Sequence, residues 1–354
     1  MGSTRVFALS VHADYACRHS GACCTAGWNI PVEGRVRDLI GVDWLAPDDS
    51  GACPQYDRSS RLCRIHRDHG ESMLPESCFQ FPRRTLVDAR GTFVTLSHFC
   101  PTAAAMLADA AGPLTIVADP QAFPPGRSYD GLDGRNEWPP LLRPDVLFDA
   151  VSYEAWEEFL VGALSGSSAG VTGALDTLAS TAERVRAWTP QHGPLLEWTR
   201  ASVSAGATAP VPAFYDRYRS PGAWEIAARA VPQGLQAPPP PDDVAATDET
   251  LVAPHWEQAS PIMMRYIASK AFASWTAYQG RGIRTQIAEL FLAASVFRVE
   301  CARACRNAGV PLDRDRTIDA LRASDWLLMH LVDRTALMAA LAEVEVDATV
   351  SPRD

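Results

Sequence analysis

The chain has 354 residues, 47% of them hydrophobic, with 42 acidic and 32 basic side chains and a formal charge of −10. At ~100–200 residues per domain that length gives two domains or three, and the apolar share excludes global disorder. The acidic balance excludes sequence-independent nucleic-acid binding, which needs surplus phosphate-neutralising charge, and equally a polybasic membrane anchor.

No stretch approaches the ~20 apolar residues of a membrane span. Met1 to Tyr15 lacks a basic n-region and an apolar h-region, so no secretory signal is expected and a reducing, cytoplasmic location follows. In such a compartment cysteines serve as metal ligands or catalysts more often than in disulfides. Lys270 is the single lysine among the 32 basic residues. The skew is read as genomic, and it leaves almost no flexible amine for Schiff-base or phosphate work.

Residues 1–112 hold seven of the nine cysteines, Cys17, Cys23, Cys24, Cys53, Cys63, Cys78 and Cys100, and five of the eight histidines, His12, His19, His66, His69 and His98. Pro31, Pro47, Pro54, Pro75, Pro82 and Pro101 punctuate them, with Gly21, Gly27, Gly51 and Gly70 between. A segment so rich in turn formers needs staples, and under reducing conditions the staple is a metal. A strand is expected at Thr92–Leu96, where β-branched and aromatic residues cluster. A short helix should follow Cys100-Pro101 over Ala103–Ala110, placing Cys100 at a helix N-terminus where the macrodipole stabilises a thiolate.

Residues 113–150 read as a connector with one strand, Leu114–Ala118. From 151 to 354 the pattern is helical: Val171, Leu175, Leu178, Val185 and Trp188 mark one helix face. Further helices are expected at 249–278, 283–307 and 315–345, with a stiff proline-rich linker at 236–241. Cys301 and Cys305 continue the face of Ile287, Phe291 and Ala294 and are read as core. Trp138, Trp156, Trp188, Trp198, Trp224, Trp256, Trp275 and Trp326 are read as core and interface aromatics. Gly280-Arg-Gly282 lacks the preceding strand and third glycine of a dinucleotide fingerprint, and is read as a turn. The fold expected is α+β: an irregular metal-organised domain, then a larger all-α domain that shields the centre and shapes a cleft.

The cysteine blocks contain neither the C-x2-C knuckle of zinc fingers nor the C-x2-C-x2-C run of bacterial ferredoxins. Spacing therefore says metal without naming it. Seven thiolates exceed the four that one tetrahedral zinc uses, and a four-iron cluster or a multinuclear site uses the number better. A four-thiolate centre carries about two negative charges, and Arg18, Arg58, Arg61, Arg64, Arg67, Arg83, Arg84 and Arg90 lie near these cysteines in sequence to offset them or hold an anionic ligand. His66 and His98, each within three residues of a cysteine, are candidate ligands, acid–base groups or hydrogen-bond donors to sulfur.

The order Cys17…Cys23-Cys24…Trp28, Cys53…Leu62-Cys63-Arg-Ile, Leu74…Cys78…Phe81-Pro82-Arg83 and Ser97…Cys100-Pro101, over roughly residues 15–108, resembles the YkgJ-like cysteine-cluster proteins. That bacterial family of zinc- or iron-chelating domains includes the flagellin lysine N-methylases (FliB-like enzymes). The segment Tyr266 to Arg284, with Phe272, Trp275, Gly280 and Gly282, is faintly similar to their later helical part. One departure is present: the methylases carry an additional cysteine between the first Cys and the Cys-Cys pair, where this chain has Arg-His-Ser-Gly-Ala.

The resemblance implies an iron–sulfur cluster, four-iron in type, and S-adenosylmethionine-linked methyl transfer to lysine on a protein or small amine. On that reading the seven N-terminal cysteines supply the ligands, an open iron takes the amino and carboxylate groups of the cofactor, and arginines such as Arg64 and Arg83 fix the carboxylate. The runner-up is a non-catalytic module that chelates iron or zinc for storage, delivery or structural stapling, and a third reading is redox sensing. No nucleic-acid or membrane partner is expected.

Overall fold

Short elements dominate the start of the chain because prolines and turn formers interrupt every run. The computed structural model describes residues 5–347 except 126–128, 130, 207–209, 236–238, 240 and 241, with the backbone alone at 136 and 343–347. The linker expected at 236–241 lies, Pro239 apart, outside the described residues. Strand β1 (Val6–Leu9) leads into 3-10 turns at Ser10–His12 and Cys23–Thr25. There follow β2 (Ile30–Pro31), α1 (Gly34–Ile40), β3 (Trp44–Leu45), β4 (Tyr56–Asp57), β5 (Leu62–Cys63), α2 (Arg64–His69) and α3 (Glu76–Gln80). Longer elements begin with the hairpin β6 (Arg83–Asp88) and β7 (Gly91–Leu96), then α4 (Pro101–Asp109).

The expected strand at Thr92–Leu96 is the body of β7, whose six residues are all buried. It lies at the centre of a sheet ordered β8-β1-β7-β6-β9, with β8 (Ile116–Ala118) and β9 (Gly131–Asp133) drawn from residues 113–150. Burial on both faces explains its unbroken run of β-branched and aromatic residues. β1 pairs with β7 in parallel and β6 pairs antiparallel, setting Arg84 opposite Thr95. α4 starts with Pro101 after Cys100 as N-cap, as the sequence predicts. A further hairpin, β10 (Leu141–Arg143) and β11 (Val146–Leu147), precedes the helices.

The rest of the described chain is helical, giving a mixed fold with a small sheet and a larger helical C-terminal region: α5 (Ala150–Gly166), α6 (Gly170–Arg186), α7 (Leu195–Ser204), α8 (Trp224–Arg229), α9 (Val244–Thr247), α10 (Trp256–Ala271), α11 (Trp275–Gln279), α12 (Ile283–Ala308), α13 (Arg314–Asp325) and α14 (Arg334–Asp347). Two expected helices are broken. The 249–278 segment opens in a π-turn at Asp248–Val252 and a 3-10 turn holding Pro254, and it breaks again after Ala271, where Ala273 takes a left-handed φ of 52°. Ala273 there gives its amide to the Glu157 carboxylate at 3.0 Å. The 315–345 segment stops at Asp325, widens into a π-turn over Trp326–Leu331, and restarts at Arg334. A buried acceptor in one case and a ring cluster in the other override helical periodicity.

α12 is the central helix, buried along most of its 26 residues, and Cys301 and Cys305 sit fully buried in it. Gly282, at φ 120°, begins this helix where a Cβ would lie 2.9 Å from Arg143 Cα, so the Gly280-Arg-Gly282 turn is a close backbone crossing. Trp138 departs from the core reading and is 76% exposed, whereas Trp156 and Trp224 are buried. Sheet and helices are joined at Arg90, which pairs with Asp88 at 2.7 Å and Glu157 at 2.8 Å beneath the Tyr153 ring. Among the described residues no helix is long and apolar enough to cross a membrane.

Candidate functional site

One cavity of about 960 Å³ is lined by all seven N-terminal cysteines. They arrive on six short segments. Cys17 lies in the loop after the first 3-10 turn, and Cys23 and Cys24 form the second. Cys53 precedes β4 and donates its amide to the Cys24 carbonyl at 2.7 Å, which draws two cysteine blocks together. Cys63 ends β5 and caps α2, Cys78 lies in α3, and Cys100 caps α4, where the Tyr15 hydroxyl stands 3.7 Å from its sulfur. Gly21, at φ 76°, brings the Cys17–Cys23 loop against Tyr56. A Cβ there would meet the Tyr56 hydroxyl at 2.7 Å.

All nine cysteines are free thiols. The Cys23 and Cys24 sulfurs are 4.0 Å apart. Among the described residues no three His, Cys, Asp or Glu side chains converge on a common ion-sized point. Four sulfurs gripping one zinc at ~2.3 Å would stand only ~3.8 Å from one another. The cysteines instead ring a wide space.

Their electrostatics follow from that crowding. A hydrogen bond from Cys24 favours the Cys23 thiolate and lowers its pKa, while the same pairing, burial and the neighbouring Cys63 and Cys53 drive Cys24 upward. Cys78 is pushed up to about 12 by burial and then by Cys23, Cys53 and Cys63. Burial raises Cys17 and Cys53 as well. Each thiolate suppresses ionisation of the next, and a bound cation reverses that effect.

The remaining wall is mixed. His19 and His66 bring their rings within 4.7 Å, and burial with His19 lowers the His66 pKa. The arginines on the wall are Arg61 and Arg83, the latter donating to the Phe79 carbonyl at 2.6 Å. Arg64, expected to hold an anionic ligand, is exposed and is not on the wall. Trp28, Phe81 and His330 present rings to the cavity and pack on one another at 5.2–6.3 Å, with Phe99 and Trp326 behind them. Among the described residues the C-terminal half thus contributes only Trp275 and His330 to a cavity otherwise built from residues before 132.

His98 and His12 are not on that wall. They are buried together with their Nε2 atoms 3.2 Å apart, and the backbone amide of His98 donates to Asp325 at 2.5 Å. His69 is exposed and off the cavity. Tyr15, Trp275, His330 and Asp325 carry no signal in linear spacing. Only the tertiary packing brings them to these sites. No protein-family model, curated protein or solved structure matches this chain.

Proposed function

We propose that the N-terminal cysteines bind an iron–sulfur cluster of the four-iron type, and that the room left in the cavity takes S-adenosylmethionine for methyl transfer to an amine of a protein or small molecule. The observation that carries this reading is the convergence of cysteines from Cys17 to Cys100, on six separate segments, onto one cavity. Free, mutually repelling thiols suit a polynuclear cation better than any uncharged ligand. A volume of about 960 Å³ exceeds what one ion needs and suits a cluster with an organic ligand beside it. The centre would also staple the irregular segments around it.

The chain's own residues have definable work on this reading. Trp28, Phe81 and Trp275 offer π faces suited to a sulfonium cation. Arg61 and Arg83 offer guanidinium donors suited to a carboxylate. His66, its pKa lowered by burial, is neutral at pH 7 and suited to taking a proton from an amine nucleophile. The cluster, once bound by these cysteines, would supply a Lewis acid for the amino-acid end of the cofactor.

Anaerobic purification followed by iron, zinc and acid-labile sulfide analysis tests the reading. About four irons and four sulfides, with a broad absorption near ~400 nm that bleaches on reduction, support it. A spectral change on adding S-adenosylmethionine supports the transferase part. Zinc without sulfide overturns both and leaves a chelating or structural module.

A further inference from the structure

Trp275 lines a second cavity as well, a small one of about 10 Å³, on whose wall lie Arg84, Thr95, Lys270, Ser274 and Glu289. Three cations meet two carboxylates around it. Lys270 is ion-paired to Asp325, whose oxygens also accept from the Tyr266 hydroxyl at 2.9 Å and the His98 amide at 2.5 Å. Arg334 is bonded to Glu289 at 2.6 Å, and the Thr276 hydroxyl takes the other Glu289 oxygen. His98 and His330 are held neutral by burial. Both carboxylates are therefore saturated, and one positive charge is left over.

The leftover charge is Arg84. Among the described residues its guanidinium has neither a carboxylate nor a hydrogen-bond partner, and it lies over the Trp275 ring at 4.3 Å. Thr95 stands directly opposite it in the β6–β7 ladder, on the same face, and is 5% exposed with a hydroxyl that also has no partner. A guanidinium and a hydroxyl thus lie on the wall of one small space, without a hydrogen-bond partner among the described residues. Burial and the neighbouring Arg334 bring the Arg84 pKa down to about 10 against the weaker pull of Glu289 and Asp325. Arg84 is half-buried, so its guanidinium keeps part of its hydration and loses the rest without a paired counter-charge. A volume of about 10 Å³ is room for one small particle, a water or a monatomic anion.

We propose that this cavity is a binding site for one small monovalent anion, chloride in the cell, held by the Arg84 guanidinium with the Thr95 hydroxyl as second donor. The site does not depend on the metal centre, and it adjoins that cavity through the shared Trp275.

The test is thermal unfolding of the full chain in chloride against gluconate at constant ionic strength, with a bromide-soaked crystal of the unmodified protein alongside. Chloride at tenfold above its Kd should raise Tm saturably by roughly 2 °C. Arg84→Gln should abolish the chloride dependence and Thr95→Val should weaken it, with iron and sulfide content unchanged in both. Anomalous scattering should place bromide beside Arg84. Equal Tm in the two salts, a chloride response retained in Arg84→Gln, or a bromide-free site holding only water would each overturn the proposal. The diffraction arm decides the matter even where a variant fails to fold.

Discussion

Lys270, the only lysine of the chain, ends on Asp325, a carboxylate with no exposed surface. Lys270 lies in the last turn of α10, Asp325 closes α13, and His98, whose amide also reaches Asp325, follows the central strand β7. One carboxylate therefore ties two helices to the sheet. Burial opposes its ionisation, but Lys270 and His98 hold its pKa far below the usual carboxylate range.

Asp325→Asn should accordingly be costly. It leaves an ammonium buried without a counter-charge, a loss of about 3–5 kcal/mol for a broken buried pair. Denaturant unfolding reads this as a lower midpoint at unchanged m-value. The double variant Asp325→Asn with Lys270→Met should recover part of the loss, because it removes the orphaned charge. A double variant no more stable than the single one would show that Lys270 is not the partner that matters.

Glu157 makes the equivalent joint at the other end of the hairpin. Its carboxylate accepts from Arg90 at 2.8 Å and from the Ala273 amide at 3.0 Å, and Tyr278 donates to the adjoining Asp88 at 2.6 Å. Glu157→Ala should destabilise by about 3–5 kcal/mol, since Arg90 and the Ala273 amide both lose an acceptor in the interior. Hydrogen exchange of the Ala273 amide should accelerate more than that of α12 amides. Uniform acceleration would mean that the contact is no more than one among many.

Much of the architecture was legible in the sequence, for identifiable reasons. β7, the start of α4 at Pro101 and nearly the whole of α12 follow from local pattern, and the structure places all three where the pattern does. The breaks at Ala273 and after Asp325 were not legible, because their causes, Glu157 and the Trp28–Phe99 rings, lie more than a hundred residues away. The cysteines announced a site through their crowding. His330 could not be assigned, and Arg84, expected beside the cysteines, lies instead on the small cavity with Trp275, since each becomes a wall residue only when helix and sheet pack.

His330 predicts a specific acid sensitivity. Burial, with Lys270 and Arg84 nearby, lowers its pKa to about 4 against the opposing pull of Asp325. The folded chain holds this imidazole neutral, and the unfolded chain protonates it below about pH 6.5. Below that pH the unfolded state binds more protons, so stability falls as pH drops from about 6.5 towards 4. Between pH 7 and pH 5 the contribution is about 2 kcal/mol. His330→Gln should flatten the pH dependence by that amount in urea titrations. An unchanged slope in the variant would remove His330 from the account.

The nine cysteines should divide into two chemical classes. Cys301 and Cys305 are fully buried in α12. Burial drives the Cys301 thiol well above its ordinary range and pushes Cys305 up to about 11, so neither supplies a thiolate readily. Replacing either with Ala should cost about 1–2 kcal/mol for the small cavity left behind and leave iron and sulfide content intact. Cys17, Cys23, Cys24, Cys53, Cys63, Cys78 and Cys100 share the large cavity, where Cys24 and Cys78 couple electrostatically to Cys23, Cys53 and Cys63. On the proposed iron–sulfur reading their Ser variants should lose most of the metal at little cost to the helical region, because serine keeps the volume and removes the soft donor. The diagnostic comparison is metal content against Tm across both sets. If metal content merely tracks Tm, so that Cys301→Ala loses as much iron as Cys23→Ser, the cavity cysteines are packing residues. If it separates from Tm, they are ligands.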